Sequence, residues 1–266
     1  MIGFILIFGF LVVSYSIVQA YVVPNQNATI EYNHYQEARS DMVDLYAGIV
    51  SLSASTQSGQ VLVPVSLGTE YPARLLFLNP PPASGQLGTS TPGSLQIRTV
   101  NGTSNTTEIC GGTSTSGLTF TPGYYVSSQP SIRYEHGLLY VDTNDGGYAI
   151  IDHQPVVDDT SNTINIYRLT GRFETRGRST TLPVELTGTK TYGLTTVKIE
   201  DNGITLPSKL PATEWNDHIL PPSIDATQNG SNIDLSGFSG EEYTLRCYTV
   251  GLGEQPPTEF RHSTTR

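Results

Sequence analysis

At 266 residues, of which only 14% are charged, the chain is long enough to bury one large core or two small ones without relying on staples. Its 24 acidic against 14 basic residues leave a net charge of −10, which repels nucleic acid and anionic lipid and excludes both as electrostatic partners. With 26 Gly and 17 Pro set among Ser, Thr and Asn, the composition is that of a loop-rich, β-rich chain.

The first element is the apolar run "MIGFILIFGFLVVSYSIVQAYVV", residues 1–23. Three readings compete for it: a signal removed at export, a membrane anchor, or the polymerising half of a helix. A secretory signal carries a basic region ahead of an apolar stretch of about 7 to 15 residues. Here no Lys or Arg precedes Arg39, and the run continues past the small-residue site "VQA" to Val23. At about 1.5 Å per residue the run makes a helix of about 35 Å, enough to span a hydrocarbon core. An ordinary anchor, however, has basic flanks to set its orientation, and these are missing.

Pro24 interrupts the run, and "NATIEYNHYQEARSDMVDLYAGIVSLS" follows. Tyr35, Ala38, Met42, Leu45 and Ile49 recur in steps of three and four, while Glu37, Ser40, Asp41 and Asp44 fall elsewhere on the wheel. The spacing predicts an amphipathic helix over 24–52, continuous through a proline kink with the apolar half 1–23. The alternative is a membrane helix, a linker and a separate surface helix. "SLSASTQSG" (51–59) reads as the junction to a head domain over 53–266.

An apolar first half, a proline just past residue 20 and an amphipathic second half leading into a β-rich head resemble the layout of type IV pilins. "MIGFILIFGFLVV" is similar to the apolar segment of archaeal pilin-like proteins. "VVPNQNATIEYNH", "VSLGTEYPARLLFLNPPPASG", "YEHGLLY" and "LPATEWNDHIL" resemble pilin-like surface proteins of haloarchaea. Ile5 stands where bacterial pilins carry a glutamate, a departure that is common in archaeal relatives. The resemblance implies a structural subunit rather than an enzyme, with no cofactor. Its partners would be the membrane before assembly and then copies of itself, packed through a helix bearing Ile5, Ile7, Leu11, Pro24, Tyr35, Ala38, Met42, Leu45 and Ile49. It leaves the partner of the head unidentified. A cell-surface filament subunit for adhesion or attachment is thus the leading expectation. A singly anchored surface protein or minor pilin whose head binds a ligand is the alternative.

Beyond the helix, short runs separated by Gly, Pro, Asn and Asp predict an antiparallel sandwich or barrel, an α+β chain as a whole. The predicted strands are "QVLVPVSLG" (60–68), "ARLLFLN" (73–79), "SLQIRTV" (94–100), "SIRYEHGLLYVD" (131–142) and "GYAIIDH" (147–153). "NTINIYRLTGRFE" (162–174), "TTLPVEL" (180–186), "LTTVKIED" (194–201) and "EEYTLRCYTVG" (241–251) follow. "TPG" at Thr91 and again at Thr121 suits a type II turn. Thr213 is placed to cap a short helix that packs Trp215. "LPPSIDATQNGSN" (220–232) reads as a linker.

Chemistry is sparse. Cys110 and Cys247 show no metal spacing, so either they close one long loop or both are buried thiols. Sequons stand at Asn27, Asn101, Asn105 and Asn229, with Asn101 and Asn105 the best placed for glycan and Asn27 the worst, being beside the helix. The pairs Glu135-His136, Asp152-His153 and Asp217-His218 are expected to split across strand faces. Asp142, Asn144 and Asp145 are better explained by a hairpin than by calcium. No metal, cofactor or catalytic set is assigned. The missing basic region predicts that the apolar segment stays on the mature protein, which intact-mass analysis will show; a chain beginning at Tyr21 would overturn both the filament and the anchor readings.

Overall fold

The computed structural model describes residues 2–55, 58–73, 80–100, 110, 114–143, 145–172, 174–176, 181–188, 192–238 and 241–253. The expected strand at 73–79, the sequons Asn101 and Asn105, and Asn144 fall wholly or mainly outside them.

Helices α1 (Ile2–Ile17) and α2 (Val23–Ala54) are joined by one π-helical turn, Val18–Val22. Pro24 accounts for the joint. It has no N–H to donate, and its ring crowds the carbonyl one α-helical turn back. The wider turn lets the Val23 N–H reach back five residues to the Val18 carbonyl, so the rod passes the proline unbroken. The predicted kink is therefore a local change of winding, and α2 runs two residues beyond the predicted end.

One face of α2 lies on the head. Tyr35, Ala38, Met42, Leu45, Ile49 and Leu52 are between 0 and 5% exposed, packed with Val63, Val65, Val184, Leu186, Val250 and Leu252. Gly188 allows the close approach at the helix end: a Cβ there would stand 2.8 Å from the Cβ of Leu52.

The head is built on two main sheets. The larger, of nine described strands, runs Gly59–Ser66, Thr181–Gly188, Glu242–Leu252, Tyr192–Pro207, Asn232–Ser236, Asp225–Asn229. Thr163–Thr170 lies parallel to Glu242–Leu252, and all eight of its residues are buried. The second sheet runs Tyr148–His153, Leu138–Asp142, Ser131–Glu135, Leu118–Gly123, Ala83–Thr89, Glu174–Arg176. A small pair, Gly93–Ser94 with Ser114–Thr115, stands apart. Strand alternation divides the interior in two. Leu138 and Tyr140 face a core around Trp215, while Leu139 and Val141 face the core under α2.

Cys110 and Cys247 are joined, 5.2 Å apart at Cα and 137 residues apart in sequence. Closing so long a loop is worth up to about 5 kcal/mol in the chain-entropy account. Arg168, 1% exposed, also holds this region by donating to the carbonyls of Cys110 and Ser114.

Three local expectations are corrected. Residues 220–232 are not a linker: Asp225–Asn229 and Asn232–Ser236 form a hairpin whose Ile224, Ala226, Ile233 and Leu235 enter the Trp215 core. The second "TPG" is not a turn, because Pro122 and Gly123 end the strand Leu118–Gly123, where Gly123 lies against Ser84. Thr213 does not cap α3 (Ala212–His218); extended Pro211 precedes the helix and its carbonyl accepts the first N–H bonds, leaving Thr213 inside the first turn. Trp215 is buried, as the short helix was expected to place it.

The stripe on α2 predicts that Leu45→Asp or Ile49→Asp will remove buried apolar area and desolvate a charge, costing about 3 kcal/mol or more. Tyr32→Asp, at a side chain 52% exposed, should leave stability near wild type. Denaturant midpoints of the three variants check this.

Candidate functional site: the helix and its seam with the head

The helix has two chemical regimes. Between Phe4 and Ile17 its large apolar side chains stand exposed: Ile5 and Ile7 are each 64% exposed and Leu11 is 58% exposed. The span that is apolar enough to cross a membrane belongs to this half. Burial begins at Val23, beside Pro24. Below that point Tyr35, Ala38, Met42, Leu45 and Ile49 all face the head and are unavailable to a neighbouring helix.

Between the regimes lies a polar socket. Glu31 on α2 is fully buried and accepts hydrogen bonds from the backbone N–H groups of Tyr125 (2.8 Å), Val126 (3.1 Å) and Ser127 (2.6 Å). The Tyr71 hydroxyl donates a fourth at 2.5 Å. Burial alone would raise the Glu31 pKa, but the bonds from Tyr71, Ser127 and Tyr125 overcome it and hold the carboxyl below its ordinary range. One turn on, His34 Nδ1 shares a 2.7 Å hydrogen bond with the Tyr124 hydroxyl, and burial lowers its pKa against the opposing pull of Glu37. Asp41 and Glu37 continue the polar edge, accepting from the Ser66 N–H and hydroxyl at 2.7 and 3.0 Å. Sequence reasoning passed over Glu31, although a signal was present. Counting back from Tyr35 in steps of four reaches Glu31 and Asn27, so polar side chains occupy core-facing positions of the stripe.

Of the sequons, Asn27 is 1% exposed, so the folded chain cannot present it to a glycosylation enzyme. Asn229 is exposed in the hairpin and donates to Asp234 at 2.9 Å.

The acid-histidine pairs behave differently from expectation. Glu135 and His136 line one cleft, because His136 sits in the turn at φ +49° rather than on a strand face. Asp152 and His153 line another, beside a bulge in their strand, together with Glu214 and His218; Asp217 does not join them. In the first cleft Ser208 is not paired with His136. Ser208 Oγ donates to Glu135 at 2.5 Å and accepts from Trp215 Nε1, while His136 Nε2 is engaged with the Pro207 carbonyl at 2.6 Å. The serine thus lacks the histidine base it would need. Among the described residues no three side chains are grouped to hold a metal ion. Asp145 bonds within its own turn, to Thr143 and to the Gly147 N–H.

The socket predicts an acid-sensitive seam. A carboxyl with a depressed folded pKa stabilises above its ordinary value of 4.5, and that contribution is lost as pH falls through the lower folded value. His34, also depressed, begins to cost stability as pH drops below its ordinary 6.5. Glu31→Gln should lose about 2 to 4 kcal/mol at neutral pH, since it trades a charged acceptor for a neutral one. It should also flatten the acid limb of a stability-versus-pH curve, while His34→Gln should flatten the limb nearer pH 6.

Comparison of the chain with protein-family models, curated proteins and solved structures finds no match.

Proposed function

We propose that this protein is a pilin-like subunit of an archaeal cell-surface filament. The observation that carries the reading is the bare apolar half-helix continuous with a half-helix locked to the head. An apolar surface of that extent is a liability in water and needs lipid or protein around it. The membrane holds α1 before assembly. Neighbouring subunits then bury their α1 segments against one another, while the β head faces outward for attachment. Asn101, Asn105 and Asn229 are its candidate glycan sites.

A second reading keeps α1 in the bilayer permanently and leaves the head as a tethered binding module. It is favoured by the length of the apolar segment, which matches one membrane crossing.

Ile7→Asp separates the two. In the filament reading it abolishes filaments, as seen by electron microscopy of sheared surface material, while the head remains folded. Should Ile7→Asp subunits still polymerise, α1 is not the assembly surface and the tethered reading replaces the filament one.

A further inference from the structure

The cleft at Glu135 and His136 is more than a gap between loops. It encloses about 270 Å³ and is built from five segments distant in sequence: 90–93, 115–117, 135–136, 207–209 and 231–232. Thr115, Ser116, Glu135, His136 and Ser208 line it, and each is less than a tenth exposed. Elsewhere the interior around Trp215 is apolar, so this concentration of buried polar groups calls for a reason.

Folding accounts for part of it. Glu135 accepts from Ser208 Oγ and from the N–H groups of Lys209 and Leu210. Thr115 Oγ1 accepts from the Leu169 N–H. Gly93 lies so close to Pro207 that a Cβ would meet the proline ring, which fixes the rim. Two groups are left over. Among the described residues, the Ser116 hydroxyl and His136 Nδ1 make no hydrogen bond to the protein; the two residues are 5% and 4% exposed and line the cavity, and neither atom is sealed off, so both are open to what enters the cleft.

Their chemistry specifies what would satisfy them. The Pro207 carbonyl can only accept, so in the neutral His136 ring the proton sits on Nε2 and Nδ1 presents a lone pair. A ligand must bring an O–H or N–H donor to that atom. Ser116, Ser90 and Thr91 carry hydroxyls that both donate and accept, and Lys209 adds a donor at the rim. The Glu135 carboxylate and the net charge of −10 disfavour an anion. Pro92 and Pro207 supply an apolar lining. The volume falls just below the usual range for ligand pockets, which limits the cleft to one ring.

We propose that this cleft binds a single neutral sugar ring. The site lies on the head, so the inference deepens the surface-attachment reading by naming the ligand class of the head. Binding is a property of the purified chain and stands or falls separately from filament assembly.

The test is ligand-observed saturation-transfer NMR on the full chain in a detergent without a sugar headgroup. Glucose, galactose, mannose and N-acetylglucosamine, free and as methyl glycosides, are the probes, with acetate as the anion control. At least one sugar should receive saturation, and acetate none. Response from the methyl glycosides assigns a glycan terminus as the source, and response from the free sugar alone assigns a free monosaccharide. Ser116→Ala and His136→Asn should each weaken binding about three- to tenfold. Asn is chosen because it tolerates positive φ, and Ser116→Ala suffices if that variant does not fold. Absence of saturation with every sugar, saturation of acetate instead, or affinity unchanged in Ser116→Ala would overturn the proposal.

Discussion

A carboxylate without access to water must be met by donors, and Glu31 is met by three consecutive backbone N–H groups and a phenol. Because the donors lie on a short stretch of backbone, they accept the carboxylate at one height and one rotation of the helix. A slip by one turn would leave the N–H groups of 125–127 facing a different side chain. That single registration also aligns the apolar stripe below it, where Leu52 meets the open space at Gly188. The stripe supplies the larger energy, but apolar packing alone is tolerant of small slides; the polar socket makes one position unique.

The same division of labour recurs in the head. Strand alternation sends Leu138 and Tyr140 one way and Leu139 and Val141 the other, so one strand serves two cores. Thr163–Thr170 is enclosed on both faces and pairs on both edges, with Val157–Asp158 and Glu242–Leu252. The disulfide and the Arg168 guanidinium then fasten residue 110 to this central region, where hydrogen-bonded polar groups specify position within apolar surroundings.

Periodic burial was legible in the sequence, and long-range pairing was not. The α2 stripe follows from spacing alone because an amphipathic helix carries its own register, and most strands with β-branched character were found for the same reason. "ASGQLGT" was missed as a strand since it is short of β-branched residues and takes its place from Leu118–Gly123 and Glu174–Arg176 beside it. The hairpin Asp225–Ser236 is hidden behind a linker-like stretch at 220–232 because polar residues, Pro and Gly make up most of that stretch, while the few apolar residues that anchor the hairpin are spread thinly. The position of Glu31 on the stripe is legible in its spacing from Tyr35, but its donors at 125–127 and the His136 cleft come from loops that meet only in three dimensions. His136 escaped the alternation rule because it occupies a turn.

The strand Glu242–Leu252 is last among the described elements and sits in the middle of the larger sheet, bonded to Thr163–Thr170, Thr181–Gly188 and Tyr192–Pro207. A chain made from its N-terminus therefore exposes part of α2 long before the surface that will cover it is complete. At about 5 to 20 residues per second, the roughly 200 residues separating Ala54 from Leu252 take on the order of 10 to 40 seconds to appear. Through that interval Met42, Leu45 and Ile49 have only part of their native cover, from Val63 and Val65 first and from Val184 and Leu186 later, while Val250 and Leu252 are still to come. Order of synthesis thus makes the head a late-closing structure, whose nascent form must be guarded against aggregation until its final strand arrives.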